Sequence, residues 1–213
     1  MKKGCFITLE GIEGCGKSTH ARLLTARLKR LGYTVHQTHE PGGTGLGEIV
    51  RGLLKKGTTR TNMCAETELL LFAASRAQLV RSVIEPAVRK GQIIISDRFM
   101  DSTTAYQGYA RGLNMKAVEA INRLAAGDSI PDVTILLDVN VPTGLARLKE
   151  RYRINHGKPD RIEQEDTAFH RMVRAGYLAL ARKHPRRIKI VDASGPLESV
   201  AAAVWEIVRH VIA

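Results

Sequence analysis

A chain of 213 residues with an apolar fraction of 44% can bury a substantial core as one domain spanning 1–213, and no apolar run approaches the ~18 residues of a membrane span. The formal net charge of +12 points to an anionic partner: nucleic acid, an acidic membrane surface or small polyanionic substrates, among which charge alone does not choose. Three cysteines, Cys5, Cys15 and Cys64, match neither a zinc site nor a disulfide framework and suit a reducing cytoplasm, and the short apolar stretch before Glu10 is no signal peptide.

Residues 5–9 (Cys-Phe-Ile-Thr-Leu) read as a buried first strand. Gly11 to Ser18 then carries the spacing G-x-x-x-x-G-K-S, and a helical pattern follows it over 17–31. That context is what a phosphate-binding loop requires. Glycines let backbone N–H groups turn inward around phosphate oxygens. Lys17 can reach the terminal phosphates, the Ser18 hydroxyl can sit on Mg²⁺, and the helix directs its positive dipole end at the anion. The expected nucleoside-triphosphate contacts are therefore Gly11, Ile12, Glu13, Gly14, Cys15, Gly16, Lys17, Ser18 and Thr19. Cys15 beside a helix start is open to thiol activation, but it reads more simply as a small residue that fits.

Further along, Tyr33 to His39 reads as a second strand, followed by the loop Glu40-Pro41-Gly42-Gly43-Thr44-Gly45 and a helix stopped by Gly57. The longest helical pattern covers 65–84, with Pro86 expected to kink or restart it. Residues 92–97 form the clearest strand, and a helical region covers about 101–126, broken near Gly112. Residues 132–139 are a fourth strand, and Pro142 opens another helix. The basic stretch 151–161 reads as a mobile loop, 165–183 as a helix, 187–192 as a fifth strand and 197–211 as a last helix. Strands alternating with helices, without hairpin turns, argue an α/β fold: a five-stranded parallel sheet with helices on both faces.

Four further segments carry chemistry. Asp97-Arg98-Phe99 ends the third strand, where open α/β sheets bind ligands. Asp97 there can hold Mg²⁺ and Arg98 can bridge phosphates, or the pair is a helix-capping aspartate and a solvated arginine. Phe72 and Arg76, four residues apart, share a helix face. They can stack on and bond a base, although spacing alone reads first as a core ring and a surface cation. Ser102, Thr103 and Gln107 offer hydroxyls and an amide that can read a pyrimidine edge, with Ser102 equally placed to cap a helix. Arg151, Arg153, Lys158 and Arg161 form a cationic stretch that can close over a reacting phosphoryl group or stay solvated. Asp138 can add an acidic metal group but reads more simply as an anchor for the next turn.

Taken together, Leu9 to Thr19, Glu40-Pro41-Gly42-Gly43-Thr44, Leu71-Phe72-Ala73-Ala74-Ser75-Arg76, Asp97-Arg98-Phe99, Ala105-Tyr106-Gln107-Gly108 and Asp160-Arg161-Ile162-Glu163 closely resemble the bacterial thymidylate kinases, nucleoside monophosphate kinases of the phosphate-loop class. The resemblance spans essentially the whole chain. It implies transfer of the ATP γ-phosphate to dTMP with Mg²⁺ as cofactor. It also implies a homodimer through helices flanking the sheet, with no stable nucleic-acid or membrane partner. By the family pattern, Phe72 stacks on thymine, Arg76 bonds its carbonyl edge, and Ser102 and Thr103 face the base. Tyr106 lies beneath C2′ and leaves little room for a ribose hydroxyl. Arg98 binds the acceptor phosphate with Arg51 helping, and Glu13 holds the 3′-hydroxyl or acts through Mg²⁺. Gly14 stands where some relatives place an arginine, so the resemblance moves that cation to the lid, to Arg151 or Arg153, with Arg153 preferred. His39 stands where relatives often carry arginine, which implies weaker and pH-dependent support of the acceptor site. The rival from another class, a nucleic-acid-dependent ATPase, lacks an aromatic-interleaved basic strip and an Asp-Glu pair after the third strand.

Overall fold

The computed structural model describes residues 4–56 and 63–212. Five strands, β1 (Cys5–Glu10), β2 (Val35–His39), β3 (Ile93–Asp97), β4 (Val133–Asp138) and β5 (Ile188–Asp192), form one all-parallel sheet in the order β2-β3-β1-β4-β5. β1 is central, and every one of its residues is buried, as a strand covered on both faces must be. Its side chains alternate: Cys5, Ile7 and Leu9 join the main core, and Phe6 packs with Ile94, Phe99, Leu79 and Ile84 in a second cluster. Around the sheet lie α1 (Lys17–Arg30), α2 (Gly45–Lys56), α3 (Ala65–Leu79), α4 (Glu85–Arg89), α5 (Met100–Thr103), α6 (Met115–Ala126), α7 (Val141–Asn155), α8 (Thr167–Lys183) and α9 (Leu197–Val211). Among the described residues no helix is long and apolar enough to cross a membrane. Gly57, the expected stop of α2, lies outside the described residues.

Two expected helices are subdivided. Over Val80–Ile84 the long helix widens to a π-type winding before α4 begins around Pro86. Proline has no N–H to return to the carbonyl four residues back, so the helix changes pitch instead of running through. The region after β3 likewise passes from α5 into a π-wound stretch, Thr104–Ala110, before Asn114 caps α6 through its side-chain oxygen on the Lys116 and Ala117 amides. Ser102 lies within α5 and caps nothing; Phe99 stands at that cap position.

The basic stretch departs further from expectation. Arg151 and Arg153 are not in a loop but in the last turns of α7, which reverses only at His156 in a left-handed conformation, φ 50°. Nothing between Pro142 and His156 breaks a helix beyond Gly144 in its first turn, so the charged run is a solvated helix face.

α7 is seated on the phosphate loop by two glycines. A Cβ on Gly14 (φ +72°) would fall 2.0 Å from the Gly144 carbonyl oxygen, and one on Gly144 would fall 2.6 Å from the Glu13 carbonyl oxygen. Backbone therefore lies directly on backbone, and the position where an arginine was sought has no room for any side chain. Gly14→Ala adds both the left-handed strain of an L-residue and this collision. It is expected to lower stability by at least about 2 kcal/mol and to reduce turnover by displacing α7, read by denaturant unfolding and steady-state rates on the same sample.

Candidate active site

Beyond the C-terminal ends of β1 and β3 a cavity of about 600 Å³ opens. On one side lies the loop after β1, where Gly11, Gly14 and Gly16 all have positive φ. Lys17 is buried, and its ammonium donates to the carbonyls of Gly11 (3.0 Å) and Ile12 (2.8 Å), with the Cys15 sulfur 3.5 Å away. Burial pushes the Cys15 thiol up, so it is a packed residue and not an activated nucleophile. The Ser18 hydroxyl donates to Asp97 Oδ2. That contact sets a hydroxyl and a carboxylate oxygen side by side at the loop, hard donors of the kind Mg²⁺ takes when phosphates and waters supply its other ligands. Asp138 makes no such contact. It holds Arg174 through two bonds of 2.7 and 2.8 Å, so it is the structural anchor.

Arg98 and Glu13 meet at the floor of the cavity. Arg98 is a non-glycine residue at φ 74°, a conformation that costs energy and has to be held by its surroundings. Its Nη2 donates to Glu13 Oε1 at 2.8 Å, and the Tyr106 hydroxyl donates to the same oxygen at 2.6 Å. Glu13 Oε2 lies 3.4 Å from His170 Nδ1. Burial would raise the Glu13 carboxyl, but Arg98, His170 and Lys17 together hold it well below the usual carboxylate range. The Tyr106 ring is further wedged edge-on against Phe169 and Tyr177, with centroids 6.1 and 6.2 Å away.

Phe72, Thr103 and Gln107 line the cavity opposite the loop. The Gln107 amide nitrogen is bonded to Glu68 at 2.6 Å, and the Thr103 hydroxyl accepts from Arg76 at 2.8 Å. Arg76 does not stand on the cavity wall. It is 1% exposed, and its guanidinium is engaged by Glu40 (2.7 Å), Asn122 (2.7 Å) and Thr103. Ser102 needs a correction. It lines the cavity, but its hydroxyl is consumed by Glu10 Oε2 (2.6 Å), the Tyr177 hydroxyl (2.7 Å) and Arg98 Nη1 (3.1 Å). One proton and two lone pairs are then spoken for, so the group has nothing left with which to read a base. Arg51 lines the cavity and donates to the Pro41 carbonyl at 2.8 Å, and His39 Nε2 faces Glu48 at 2.9 Å.

Of the two lid arginines, Arg151 lines the cavity, held by Glu163 at 2.8 Å and by the Tyr152 hydroxyl at 3.1 Å. Arg153 is 73% exposed and pairs with Glu150 on its own helix, so the preference for Arg153 is reversed. Arg147, one turn before Arg151, also lines the cavity and donates to the Ala193 and Ser194 carbonyls. Sequence reasoning missed Arg147, which falls in the helix expected after Pro142, because Arg151 four residues on was read as loop and the i,i+4 pair was split between the two. Glu68, His170 and Tyr177 were missed as well, since no local pattern ties them to the loop, and Glu10, which directly precedes the loop, was read only as the residue after the first strand.

The thymidylate kinase family model matches residues 9–204. The chain is 49% identical to the thymidylate kinase of Thermomicrobium roseum over 97% of this chain and 95% of that protein. It is 47% identical to that of Syntrophotalea carbinolica over 94% and 93%. Among solved structures, the thymidylate kinase from Ehrlichia chaffeensis superposes with a TM-score of 0.76 at 33% identity, covering 96% of this chain and 98% of that one. Similarity of this degree over the full length, centred on a phosphate loop that opens into one cavity, establishes that the chain belongs to the thymidylate kinase family.

Proposed function

We propose a division of labour among these residues for the reaction that family membership carries, transfer of the ATP γ-phosphate to dTMP to give dTDP and ADP. The single observation that carries it is the buried Arg98–Glu13–Tyr106 contact beside the phosphate loop. The loop from Gly11 to Thr19 receives the ATP phosphates through its N–H groups and Lys17. Ser18 and Asp97 would hold Mg²⁺, which when bound would neutralise phosphate charge. Arg98, supported by Arg51, binds the acceptor phosphate, and Glu13 accepts from the sugar 3′-hydroxyl. Phe72 stacks on thymine and Thr103 and Gln107 meet its polar edge, while Arg76, off the cavity wall, acts through the Thr103 hydroxyl it holds at 2.8 Å.

Tyr106 excludes a ribose hydroxyl because its ring is pinned at both ends, by Glu13 at the phenol and by aromatic edges around it. The acceptor oxygen is already anionic, so no general base is needed, and catalysis rests on in-line positioning and dispersal of charge. The lid, 151–161, adds the missing cation through Arg151 as one part of a kinase unit spanning the chain. The proposed compartment is the cytoplasm.

A second copy of the chain is the proposed partner. Leu46 (51% exposed), Ile49 (65%) and Leu53 lie at helical spacing on α2, with Leu70 on the adjoining α3 and Leu124 on α6, which packs against α3. Ile49→Asp is expected to convert a dimer to a monomer in light scattering; an unchanged mass removes α2 from the interface.

Turnover measured across dTMP, dUMP, UMP, dCMP, AMP and thymidine tests the substrate reading, with dTMP expected to lead and UMP to lag. Strong activity on AMP or thymidine with none on dTMP sinks it. Arg151→Ala is expected to cut kcat by about 100-fold or more while KM for dTMP changes little, and Arg153→Ala to leave kcat within about threefold. A normal kcat in both variants and in their double removes the lid cation from the mechanism.

A further inference from the structure

Three oxygens behind Arg98 lie closer together than their hydroxyl protons can account for. Ser102 Oγ to Glu10 Oε2 is 2.6 Å, Ser102 Oγ to Tyr177 Oη is 2.7 Å, and Tyr177 Oη to Glu10 Oε2 is 2.9 Å. If Ser102 and Tyr177 both donate to Glu10 Oε2, the 2.7 Å contact between the two hydroxyls has no proton of its own, and one proton for each contact takes three. Serine and tyrosine supply one each. The third has to come from the Glu10 carboxyl. With it the ring closes: Glu10 donates to Ser102, Ser102 to Tyr177, and Tyr177 back to Glu10. Every oxygen then donates once and accepts once within the ring. The other carboxyl oxygen, Oε1, accepts from the Phe99 amide at 2.7 Å, as the carbonyl end of a neutral acid does.

The lone pairs left over on both hydroxyls face the same guanidinium nitrogen, Arg98 Nη1, at 3.1 Å from Ser102 and 3.2 Å from Tyr177, and its two protons are shared with the Gly11 carbonyl at 3.2 Å. Backbone and side chain of Arg98 are thus held from one place. The Phe99 amide is fixed beside the left-handed residue, and the guanidinium is fixed by the two hydroxyls. We propose that Glu10 keeps its carboxyl proton inside this closed ring with Ser102 and Tyr177, and that the neutral ring is the positioning device that presents Arg98, at full charge, to the acceptor phosphate.

The surroundings favour the neutral acid. Glu10 is fully buried, and its carboxyl is pushed up to about 7, by burial first and then by the Asp101 carboxylate, against the lowering effect of Ser102, Arg98 and Tyr177. Asp101 itself is tied to Arg187 at 2.6 Å, so these charged groups, Asp101 and Arg187 on one side and Arg98 on the other, are what face Glu10. Burial pushes the Tyr177 phenol well above its ordinary value, which keeps its proton in place. The sign follows. Below about 7 the ring is neutral. Above it an anion forms behind Arg98 and offsets part of the charge that the incoming phosphate would meet.

The part of the proposal that concerns phosphate rests on the reading of Arg98 given above; the protonated ring does not. Two measurements on the full-length enzyme separate them. In pH-difference infrared spectra the wild type is expected to show a carboxylic-acid C=O stretch that disappears with a midpoint of about 7. The band should be absent in Glu10→Gln and shifted in midpoint in Tyr177→Phe, the variant to rely on should Glu10→Gln not fold. A wild type with no such band, ionised throughout, overturns the ring. In steady-state kinetics, KM for dTMP is expected to rise severalfold in the wild type from one pH unit below that midpoint to two above it, and to stay flat in Glu10→Gln. Tyr177→Phe should raise KM for dTMP by about fivefold, through loss of the one of its three hydrogen bonds that holds Arg98, with KM for ATP unchanged. A band that titrates as expected beside an unchanged KM for dTMP in Arg98→Gln keeps the ring and overturns the phosphate role of Arg98. A KM that rises with pH in Arg98→Gln as it does in the wild type overturns the claim that the ring acts through Arg98.

Discussion

Arg98 is held in a left-handed backbone conformation with its guanidinium partly buried and paired with Glu13, and the rest of the site is arranged around that constraint. Such a cation is held only when its own charge is answered and its backbone is pinned. Glu13 answers the charge from the phosphate loop at 2.8 Å, and the Leu9 carbonyl and Glu10 side chain pin the amides of Arg98 and Phe99. Both glutamates come from the end of the central strand or the loop directly after it. The phosphate loop is therefore bonded directly to Arg98, the residue proposed to meet the acceptor phosphate. In a site with little water an electrostatic contact of this kind acts at much greater strength than it would at the surface.

The approach of α7 to the loop obeys a steric constraint of comparable severity. Gly14 and Gly144 touch backbone to backbone, which brings the helix close enough for Arg147 and Arg151 to line the cavity. An arginine within the loop at position 14 and a helix packed on it at Gly144 are mutually exclusive arrangements of the same space. Here the helix occupies that space and carries the cations. The turn beyond α7 is tied down in the other direction: Arg161 reaches the buried Glu68, which also holds Gln107, so that turn and the cavity wall share one carboxylate.

Much of this was legible in the chain. The phosphate loop was readable because glycine spacing, lysine and a following helix are a local code, and the five strands were readable from short β-branched runs between helical patterns. Asp97 and Arg98 announced themselves by standing at a strand end. The places where reading failed share a cause. Arg151 and Arg153 were assigned to a loop because a charged run looks alike in a loop and on a solvated helix face. Choosing between them needed the helical phase that only the continuous α7 supplies. Ser102 was assigned to the base because a hydroxyl beside a cleft carries no mark of which way its proton is already committed.

The sequence by itself determined the fold class, the phosphate loop and the family, because each is written in residues adjacent in the chain. The tertiary structure decided the partners. Tyr177 lies 167 positions from the Glu10 it bonds, His170 is far along the chain from Glu13, and Gly144 is far from Gly14. Contacts of that kind depend on how α7 and α8 return to the end of the central strand. No periodicity or local spacing encodes that return; it is set by packing of buried surfaces and by satisfaction of buried polar groups across the whole molecule.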